Sequence, residues 1–318
     1  MKIKVLNTVD PSYSKFKFKT LKKYCSIKTI ISSRSEAINF AQKSDVIIAG
    51  GRIKIDKKFI ENCKNLKLIL SPSTGTDHLC LKTIKKRKIK LIHIGKNLKL
   101  IKNFTATSEM SFALLLSLVR KIMQSVNDVN QGIWSRDKNS GFQLKDKTLG
   151  ILGLGRLGKI SAKIAKGFQM KVLANDIKKI NYPGVKNVSF NNLFKNSDII
   201  FLHVHLDSTT ENLINKKVFK IMKKNAILIN TCRGKIINEK DLLYALKNKI
   251  IAGAALDVID GEWLSRKNLI KHPIIKYAKN NNNLVVTPHI AGSTYESIKM
   301  ARDHIFELLI KYLKQKKL

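Results

Sequence analysis

The sequence predicts an α/β protein with two domains, each built on a parallel β-sheet covered by helices. Three observations predict this class. Short apolar runs alternate with helical patterns over the first hundred residues, as they do in successive βαβ units. A second series of the same kind starts near residue 148, after one long helical pattern. The chain has 318 residues, which is enough for two domains that each bury a core.

The first domain is predicted from four apolar runs that indicate strands and one helical pattern between them. The strands are predicted at residues 3–6, 46–48, 66–70 and 89–92, and the helix at residues 57–63. Strands that alternate with helices indicate a parallel, doubly wound sheet. No Gly-x-Gly-x-x-Gly turn follows any of these strands. This domain is therefore not expected to hold a dinucleotide.

One long helix is predicted over residues 106–123, where apolar residues recur at helical spacing and carry the chain into the second domain. The second series then predicts strands at residues 198–204, 226–230, 252–257 and 284–287, with helices at 218–222 and 239–247. Residues 294–313 predict an amphipathic helix that returns to the first domain. The predicted domains are therefore 1–102 plus 290–318, and 103–289.

The most informative motif is the glycine-rich turn Gly153-Leu154-Gly155-Arg156-Leu157-Gly158. It follows the apolar run 149–152 and precedes a helical pattern, which is the context of a dinucleotide fingerprint. Gly153 permits the tight turn, Gly155 lets the backbone approach a pyrophosphate, and Gly158 lets helix and strand pack closely. The helix start then offers backbone N–H groups, including those of Arg156 and Leu157, to the phosphates.

Asp176 stands eighteen residues after the last glycine of this motif, at the end of the next apolar run. A carboxylate there accepts hydrogen bonds from a ribose diol and repels a 2′-phosphate. The sequence therefore predicts NAD as the cofactor, although Lys178 and Lys179 weaken the discrimination against NADP.

Three further clusters follow predicted strands of the second domain, where open α/β sheets bind their ligands. Arg233 lies just past the run 226–230, and a guanidinium there presents a planar fork to a carboxylate. The alternative for Arg233 is a surface ion pair. Asp257 ends the run 252–257, and Glu262 follows it in the loop. His289 follows Pro288, and an imidazole held rigidly beside a glutamate suits proton transfer.

Arg233, Glu262 and His289, in that order behind the dinucleotide motif, resemble the D-isomer-specific 2-hydroxyacid dehydrogenase family. The resemblance extends to three more segments, which are Ser73-Thr-Gly-Thr-Asp-His78, Ala106-Thr-Ser-Glu109 and Leu202-His-Val-His-Leu-Asp-Ser-Thr-Thr-Glu-Asn-Leu-Ile-Asn215. It implies a Rossmann cofactor domain inserted in a discontinuous, flavodoxin-like substrate domain. It also implies NAD-dependent hydride transfer to or from a 2-hydroxy or 2-oxo acid, and a homodimer formed through the cofactor domain.

The resemblance also implies a role for each site residue. Arg233 would bind the substrate carboxylate and polarise the 2-oxo group, His289 would exchange the proton, and Glu262 would hold and charge the imidazole. Backbone N–H groups of Gly75 and Thr76 would bind the carboxylate from the other domain. Further cofactor contacts are expected from Thr231, Cys232, Arg233, Asp257, His289 and Gly292.

Within that family the chain resembles most the phosphoglycerate dehydrogenase branch, in a short form without a C-terminal regulatory domain, which would place it in serine biosynthesis. Phosphoglycerate dehydrogenases usually carry an arginine just after the strand that corresponds to residues 46–48. Here that place has Gly50, and Arg52 follows two residues later. Two usual prolines are replaced as well, by His205 and Trp263. The alternatives are a glyoxylate or hydroxypyruvate reductase, and a non-catalytic NAD-responsive binding protein.

The chain is strongly basic, with 61 Lys and Arg against 22 Asp and Glu, a net charge of +39. This charge would suit nucleic acid, but the lysines are spread through the chain, and a bias towards Lys, Asn and Ile accounts for them without such a partner. The four cysteines include no Cys-x-x-Cys pair, so neither a zinc site nor a disulfide framework is expected. No signal peptide or membrane-spanning run is found, and we expect a cytoplasmic protein.

Overall fold

The computed structural model describes residues 2–263 and 266–315. Within these residues the strands are β1 (Lys4–Asn7), β2 (Ser26–Thr29), β3 (Val46–Ile48), β4 (Leu68–Ser71), β5 (Lys90–His93), β6 (Thr148–Leu152), β7 (Lys171–Asn175), β8 (Lys186–Asn187), β9 (Ile199–Leu202), β10 (Ile227–Asn230), β11 (Gly253–Leu256) and β12 (Leu284–Val286).

The helices are α1 (Lys15–Leu21), α2 (Arg34–Ala41), α3 (Lys57–Glu61), α4 (Leu81–Lys86), α5 (Leu98–Ile101), α6 (Ala106–Val119), α7 (Ile122–Asn130), α8 (Arg156–Gly167), α9 (Phe190–Asn196), α10 (Lys216–Ile221), α11 (Glu239–Lys247), α12 (Arg266–Leu269), α13 (Pro273–Asn280) and α14 (Tyr295–Gln315). Short 3₁₀ turns lie at Pro11–Ser14, Ile94–Lys96 and Gly234–Ile236. None of the helices in the described ranges combines the length and apolar character needed to cross a bilayer.

The chain divides into two compact units. Unit 1 comprises Met1–Phe104 and Ser293–Leu318, and unit 2 comprises Thr105–Gly292. The predicted boundaries lie after residues 102 and 289. Residues 290 and 291 stay with unit 2 because their backbone N–H groups donate to the carboxylate of Asp257.

Unit 1 is built on a parallel five-stranded sheet of order β2-β1-β3-β4-β5, the doubly wound order of flavodoxin-like folds. Alternating side chains of its strands enter two cores, because successive residues of a strand point to opposite faces. Val5 and Val46 pack with Ile305 and Phe306 of α14 on one face. Burial of each such side chain contributes about 1.5–3 kcal/mol, so the last helix is an integral part of unit 1.

Unit 2 is built on a parallel seven-stranded sheet of order β12-β11-β10-β9-β6-β7-β8. Counted from β6, this is the Rossmann order 3-2-1-4-5-6 with one strand added at the edge. Phe201 of β9 is fully buried and packs edge-on against Phe112 of α6, with ring centres 5.0 Å apart. On the other face, Phe194 and Phe219 pack with Leu202 and Leu228. The predicted fold class, a Rossmann unit inserted in a discontinuous flavodoxin-like unit, is therefore confirmed.

The long helix predicted over residues 106–123 is wrong in one respect, because it is two helices. The first, α6, ends at Val119, and Lys121 adopts the left-handed conformation at φ 51 before α7 begins. The segment around Gly141 runs against this end of α6, and a Cβ at Gly141 would lie 2.1 Å from the carbonyl oxygen of Val119. The sequence has neither glycine nor proline at residues 120–121, so it carries no breaking signal.

Candidate active site

The predicted site residues of unit 2 follow the carboxyl ends of its parallel strands. The glycine turn follows β6 and Asp176 follows β7, whereas Arg233, Asp257 and His289 follow the adjacent strands β10, β11 and β12. Open α/β sheets bind their ligands at this carboxyl edge. Here one part of the edge has a glycine turn suited to a nucleotide, and the other part has titratable side chains.

The glycine turn has the geometry of a phosphate cradle. Gly153 has φ +93, and a Cβ on Gly158 would lie 2.2 Å from the carbonyl oxygen of Gly153. Both positions therefore exclude a side chain. A Cβ on Gly155 would meet no heavy atom within 4 Å. Gly155 caps the start of α8, so its open side gives a ligand access to the positive end of the helix dipole.

Asp176 is attached to this turn. Its Oδ2 accepts a hydrogen bond from the backbone N–H of Leu154 at 2.7 Å, and its Oδ1 accepts from Lys178 N–H at 2.9 Å. The carboxylate therefore lies directly beside the glycine turn. Its charge and the open face of Gly155 fit the ribose and pyrophosphate of NAD.

The loop that carries Arg233 is held by Asn230, the last residue of β10. The fully buried Asn230 accepts from Cys232 N–H at 3.0 Å and donates from Nδ2 to the carbonyl oxygen of Arg233 at 2.9 Å. Nη1 of Arg233 donates to the carbonyl oxygen of Cys232 at 2.6 Å. These hydrogen bonds hold the backbone of the loop in place and attach one end of the guanidinium of Arg233 to it.

Thr231 and Cys232 lie in the same loop but are buried. The hydroxyl of Thr231 is 2.9 Å from that of Ser111 on α6. Burial raises the pKa of the Cys232 thiol to about 11, so this thiol is protonated at neutral pH and is a poor nucleophile. Their contacts with a cofactor remain predictions.

Asp257 anchors the loop that carries His289. This carboxylate is 1% exposed, and it accepts three hydrogen bonds, from Thr287 Oγ1 at 2.6 Å, Ile290 N at 2.9 Å and Ala291 N at 2.7 Å. The carbonyl oxygen of Asp257 accepts from His289 N–H at 2.8 Å. Asp257 therefore positions the loop, and its predicted contact with the cofactor remains a prediction.

His289 and Glu262 meet although they lie 27 residues apart, with Nδ1 of His289 2.8 Å from Oε2 of Glu262. An ionised carboxylate only accepts, so Nδ1–H donates and Nε2 is left to exchange a proton. This hydrogen bond raises the pKa of His289, and the charges of Glu262 and Asp257 act in the same direction, while burial and the charge of Arg233 oppose them. The side chain of His289 is 44% exposed, so the imidazole is accessible.

Glu239 supports the loop of Glu262 and was not identified from the sequence. Its Oε1 accepts from the backbone N–H of Asp260 at 2.8 Å, and its Oε2 lies 3.5 Å from Nε2 of His272. Burial raises the pKa of Glu239 to about 7. The sequence shows only that Glu239 is an acidic residue in the first turn of α11, and this position does not indicate its role in supporting the loop.

The remaining predicted residues lie elsewhere. Gly75 and Thr76 belong to unit 1, in the loop after β4, and are half-buried. Gly292 is the last residue of unit 2. His203, which was not predicted as a site residue, is half-buried with Nε2 2.9 Å from Ser161 Oγ, and desolvation lowers its pKa to about 4. Within residues 2–263 and 266–315, no three His, Cys, Asp or Glu side chains are grouped to hold a metal ion.

Comparisons with known proteins give consistent matches. The sequence model of "D-isomer specific 2-hydroxyacid dehydrogenase, NAD binding domain" matches residues 112–291. The chain is 37% identical over 269 residues to D-3-phosphoglycerate dehydrogenase of Archaeoglobus fulgidus, covering 83% of this chain and 49% of that protein. It is 35% identical over 293 residues to glyoxylate reductase of Thermococcus litoralis, covering 88% of this chain and 82% of that protein.

Among solved structures, the D-lactate dehydrogenase of Aquifex aeolicus complexed with NAD and lactic acid superimposes with a TM-score of 0.86. It is 28% identical, and the match covers 98% of this chain and 96% of that chain. The chain thus spans nearly the full length of this structure, but only about half the length of the Archaeoglobus relative.

Proposed function

Because the chain belongs to the D-isomer-specific 2-hydroxyacid dehydrogenase family, whose members are NAD-dependent oxidoreductases, we propose that it transfers hydride between NAD and a D-2-hydroxy acid. The observation that carries this proposal is the pair of His289 and Glu262, 2.8 Å apart, with the charge of Arg233 acting on the same imidazole. The substrate that we propose is 3-phosphoglycerate, with 3-phosphohydroxypyruvate as product. This reaction would belong to serine biosynthesis in the cytoplasm.

NAD is the cofactor of this family, and the residues present fit it. The turn from Gly153 to Gly158 and the start of α8 would hold the pyrophosphate, and Asp176 would hold the ribose. Thr231, Cys232, Asp257 and Gly292 are proposed as further contacts. When bound, NAD supplies a nicotinamide carbon that accepts or releases hydride.

His289 is proposed as the general acid and base. In reduction its Nε2–H donates a proton to the 2-oxo oxygen, and in oxidation the neutral ring takes the proton from the hydroxyl. Glu262 keeps Nδ1 protonated, so that Nε2 is the exchanging atom, and it stabilises the imidazolium. The raised pKa of His289 keeps the acid form available near neutrality.

Arg233 is proposed to bind the substrate carboxylate and to polarise the 2-oxo group. A guanidinium offers several N–H donors in one plane, which matches a carboxylate better than an ammonium does. The hydrogen bonds of Asn230 to this loop would hold the guanidinium of Arg233 in place before substrate binds. The backbone N–H groups of Gly75 and Thr76 are proposed as further donors to the carboxylate.

The test is absorbance of NADH during reduction by the purified protein, with NADPH compared and with 3-phosphohydroxypyruvate, hydroxypyruvate, glyoxylate and pyruvate as substrates. We expect 3-phosphohydroxypyruvate to give the highest kcat/KM. Arg233→Ala is expected to lower kcat/KM by about 100-fold or more while NADH still binds. Arg120→Ala, at an exposed arginine at the end of α6, is the matched control. Unchanged turnover in Arg233→Ala would remove this residue from the site.

Glyoxylate or hydroxypyruvate reduction is the second candidate, favoured by two observations. The Thermococcus reductase matches this chain over 82% of its own length, and glycine replaces the usual arginine at position 50. Equal kcat/KM with and without the phosphate would support this candidate. Binding of NADH without turnover of any substrate would support a non-catalytic NAD-responsive protein instead.

We also propose a homodimer that pairs the α7 surface of unit 2, which we define as Ile122, Met123, Val126, Val129 and Trp134. No residue of α7 is buried, these apolar side chains are all exposed, and Trp134 is 86% exposed. Contiguous exposed apolar side chains of this kind mark interaction sites. A two-fold axis would pair the same surface on both copies.

A further inference from the structure

Glu239, in the first turn of α11, is an acidic side chain largely removed from water, and no step of the proposed reaction uses it. Its side chain is 16% exposed. Burial raises its pKa to about 7, and the charge of Asp260 acts in the same direction. Acidic side chains avoid such places unless another group pairs with them, so the partners of its two oxygens indicate what it does in the fold.

The two oxygens of Glu239 have different partners. Oε1 accepts a hydrogen bond from the backbone N–H of Asp260 at 2.8 Å, and this bond lowers the pKa of Glu239 against the effect of burial. Oε2 lies 3.5 Å from Nε2 of His272, whose side chain is 11% exposed. His272 is thus the partner of the second oxygen, and the first oxygen binds the loop that follows β11.

The peptide group that Glu239 binds also packs against the loop of Arg233. A Cβ on Gly234, the residue after Arg233, would lie 2.1 Å from the carbonyl carbon of Ile259 and 2.4 Å from the nitrogen of Asp260. Both atoms belong to one peptide group, which is planar. The contact with Gly234 and the hydrogen bond to Glu239 therefore fix the orientation of this group together.

This peptide group lies shortly before Glu262 in the chain. Gly261, between Asp260 and Glu262, has φ 81, a conformation that glycine adopts readily and that turns the chain. Oε2 of Glu262 then lies 2.8 Å from Nδ1 of His289. Hydrogen bonds weaken steeply as their geometry departs from the preferred distance and angle. A rotation of the peptide group between residues 259 and 260 would therefore weaken the bond between Glu262 and His289.

We propose that Glu239 is a positioning residue, which holds Glu262 against His289 by accepting the N–H of Asp260. Glu239 lies outside the reacting groups and acts only through this loop. His272 holds the other oxygen of Glu239 in place. The benefit for proton exchange rests on the proposed function, whereas the effect on the imidazole of His289 does not.

Titration of the His289 imidazole, followed by NMR of the full-length protein without substrate, tests this proposal. The signal is assigned by its loss in His289→Gln. Glu239→Leu has no acceptor for the N–H of Asp260, so the titration midpoint should fall by at least about half a pH unit. Glu239→Gln loses the charge but keeps an acceptor oxygen, so its midpoint should stay within about 0.2 pH unit of that of the unaltered protein.

The matched control is Asp241→Leu, in the same turn of α11. Asp241 also accepts a backbone N–H, that of Lys216, at 2.9 Å. The substitution therefore removes the same kind of bond from the same helix, but the bond leads to α10 instead of the loop of Glu262. The midpoint of His289 should not change in this variant.

A double variant separates positioning from a general weakening of the fold. Glu262→Leu removes the partner of the His289 imidazole outright. If Glu239 acts through Glu262, adding Glu239→Leu should not lower the midpoint of His289 further, because both changes remove the same interaction. A further fall in the double variant would contradict the proposal.

Kinetics of NADH-dependent reduction give a second readout. In Glu239→Leu the pH at which kcat/KM declines should be lower than in the unaltered protein, while the affinity for NADH stays within about twofold. Glu239→Gln should restore the decline to its original pH. This rescue by the conservative variant is not expected of a residue that only stabilises the fold.

A His289 midpoint in Glu239→Leu that equals that of the unaltered protein, or an equal fall in Glu239→Gln, would overturn the proposal. If Glu239→Leu does not fold, Glu239→Ser repeats the test, because its short side chain does not reach Asp260 and a polar residue suits the start of a helix. Failure of the dehydrogenase proposal would instead appear as no NADH oxidation with any of the acids, which leaves the imidazole titration intact.

Discussion

His289 has φ 55, in the left-handed region that residues other than glycine rarely adopt. Such a conformation costs about 1–3 kcal/mol and persists only where neighbouring groups impose it. Here the backbone and the carboxylate of Asp257 impose it, through bonds to His289 N and to the N–H groups of Ile290 and Ala291. The imidazole is thus aimed before any ligand arrives, which lowers the entropy that binding and reaction must overcome.

Glu262→Gln is expected to move the pH dependence of reduction towards acid. The amide keeps an acceptor for Nδ1 but loses the charge, so the raised pKa of His289 falls towards its ordinary value. Reduction needs protonated His289, so its rate is full below this pKa and declines as the pH rises through it. The declining limb of kcat/KM should therefore lie at lower pH in the variant, with a loss of about tenfold for each unit of displacement.

The measurement is kcat/KM for NADH-dependent reduction between about pH 5 and pH 10. Glu211→Gln is the control, because Glu211 pairs with Lys235 on the surface at 3.0 Å. Glu211→Gln should not change the pH at which kcat/KM declines. If the declining limb stays at the same pH in Glu262→Gln, the charge of Glu262 does not raise the pKa that controls the reaction.

At the scale of residues, the sequence predicted Arg233, Glu262, His289 and the glycine turn as site residues, because each is chemically distinctive and lies in a recognisable motif. It did not reveal how these residues are held. Asn230 acts on its own loop, but Asp257 binds a backbone N–H 34 residues away and Glu239 binds one 21 residues away. Bonds from side chains to distant backbone groups depend on the folded arrangement, and no local pattern indicates them.

Among the elements, strands that contain an apolar run were predicted, including the edge strands β5 and β12, whereas two polar edge strands were not. All four residues of β10 are buried, and the predicted run 226–230 lies within one residue of its observed bounds. The edge strands β2 and β8 were missed. Their residues are exposed or half-exposed, and each strand contains a lysine, so neither has the apolar run that indicates a strand buried on both faces.

Lys121→Gly is expected to stabilise the break between α6 and α7. Lys121 has φ 51, which costs an L-residue about 1–2 kcal/mol and glycine almost nothing. After the greater chain entropy of unfolded glycine is subtracted, the free energy of unfolding should rise by about 0.5–1 kcal/mol. Urea unfolding, followed by circular dichroism, measures this change.

The matched control is Lys163→Gly in α8, where Lys163 is exposed inside a regular helix. That change should lower the free energy of unfolding by about 1 kcal/mol. Destabilisation by both substitutions would indicate that α6 and α7 are one continuous helix in solution.

For the whole molecule, composition limits what charge can contribute. With 61 basic and 22 acidic side chains, the acids are too few for each cation to have an acidic partner of its own. Exposed pairs such as Lys57 with Glu61 contribute about 0–1 kcal/mol each. The fold therefore depends on its apolar cores, and the net charge acts on solubility and on the attraction of anions.

Val126→Glu is expected to shift the protein from dimer to monomer. It places a charge in the middle of the α7 surface, where an interface would remove it from water. Size-exclusion chromatography with light scattering measures the mass of each form. Asn191→Glu, at an exposed position of α9, adds the same charge elsewhere and should leave the mass unchanged. A monomeric unaltered protein would contradict the proposed homodimer.

The return of α14 to unit 1 has a consequence for biosynthesis on the ribosome. Strand β1 precedes α14 by some three hundred residues, yet its Val5 packs against Ile305 and Phe306 of that helix. Unit 2 is one uninterrupted segment, so its core can close while translation continues. The apolar face of the sheet of unit 1 stays uncovered until α14 has been synthesised, and until then it is a natural target for chaperones.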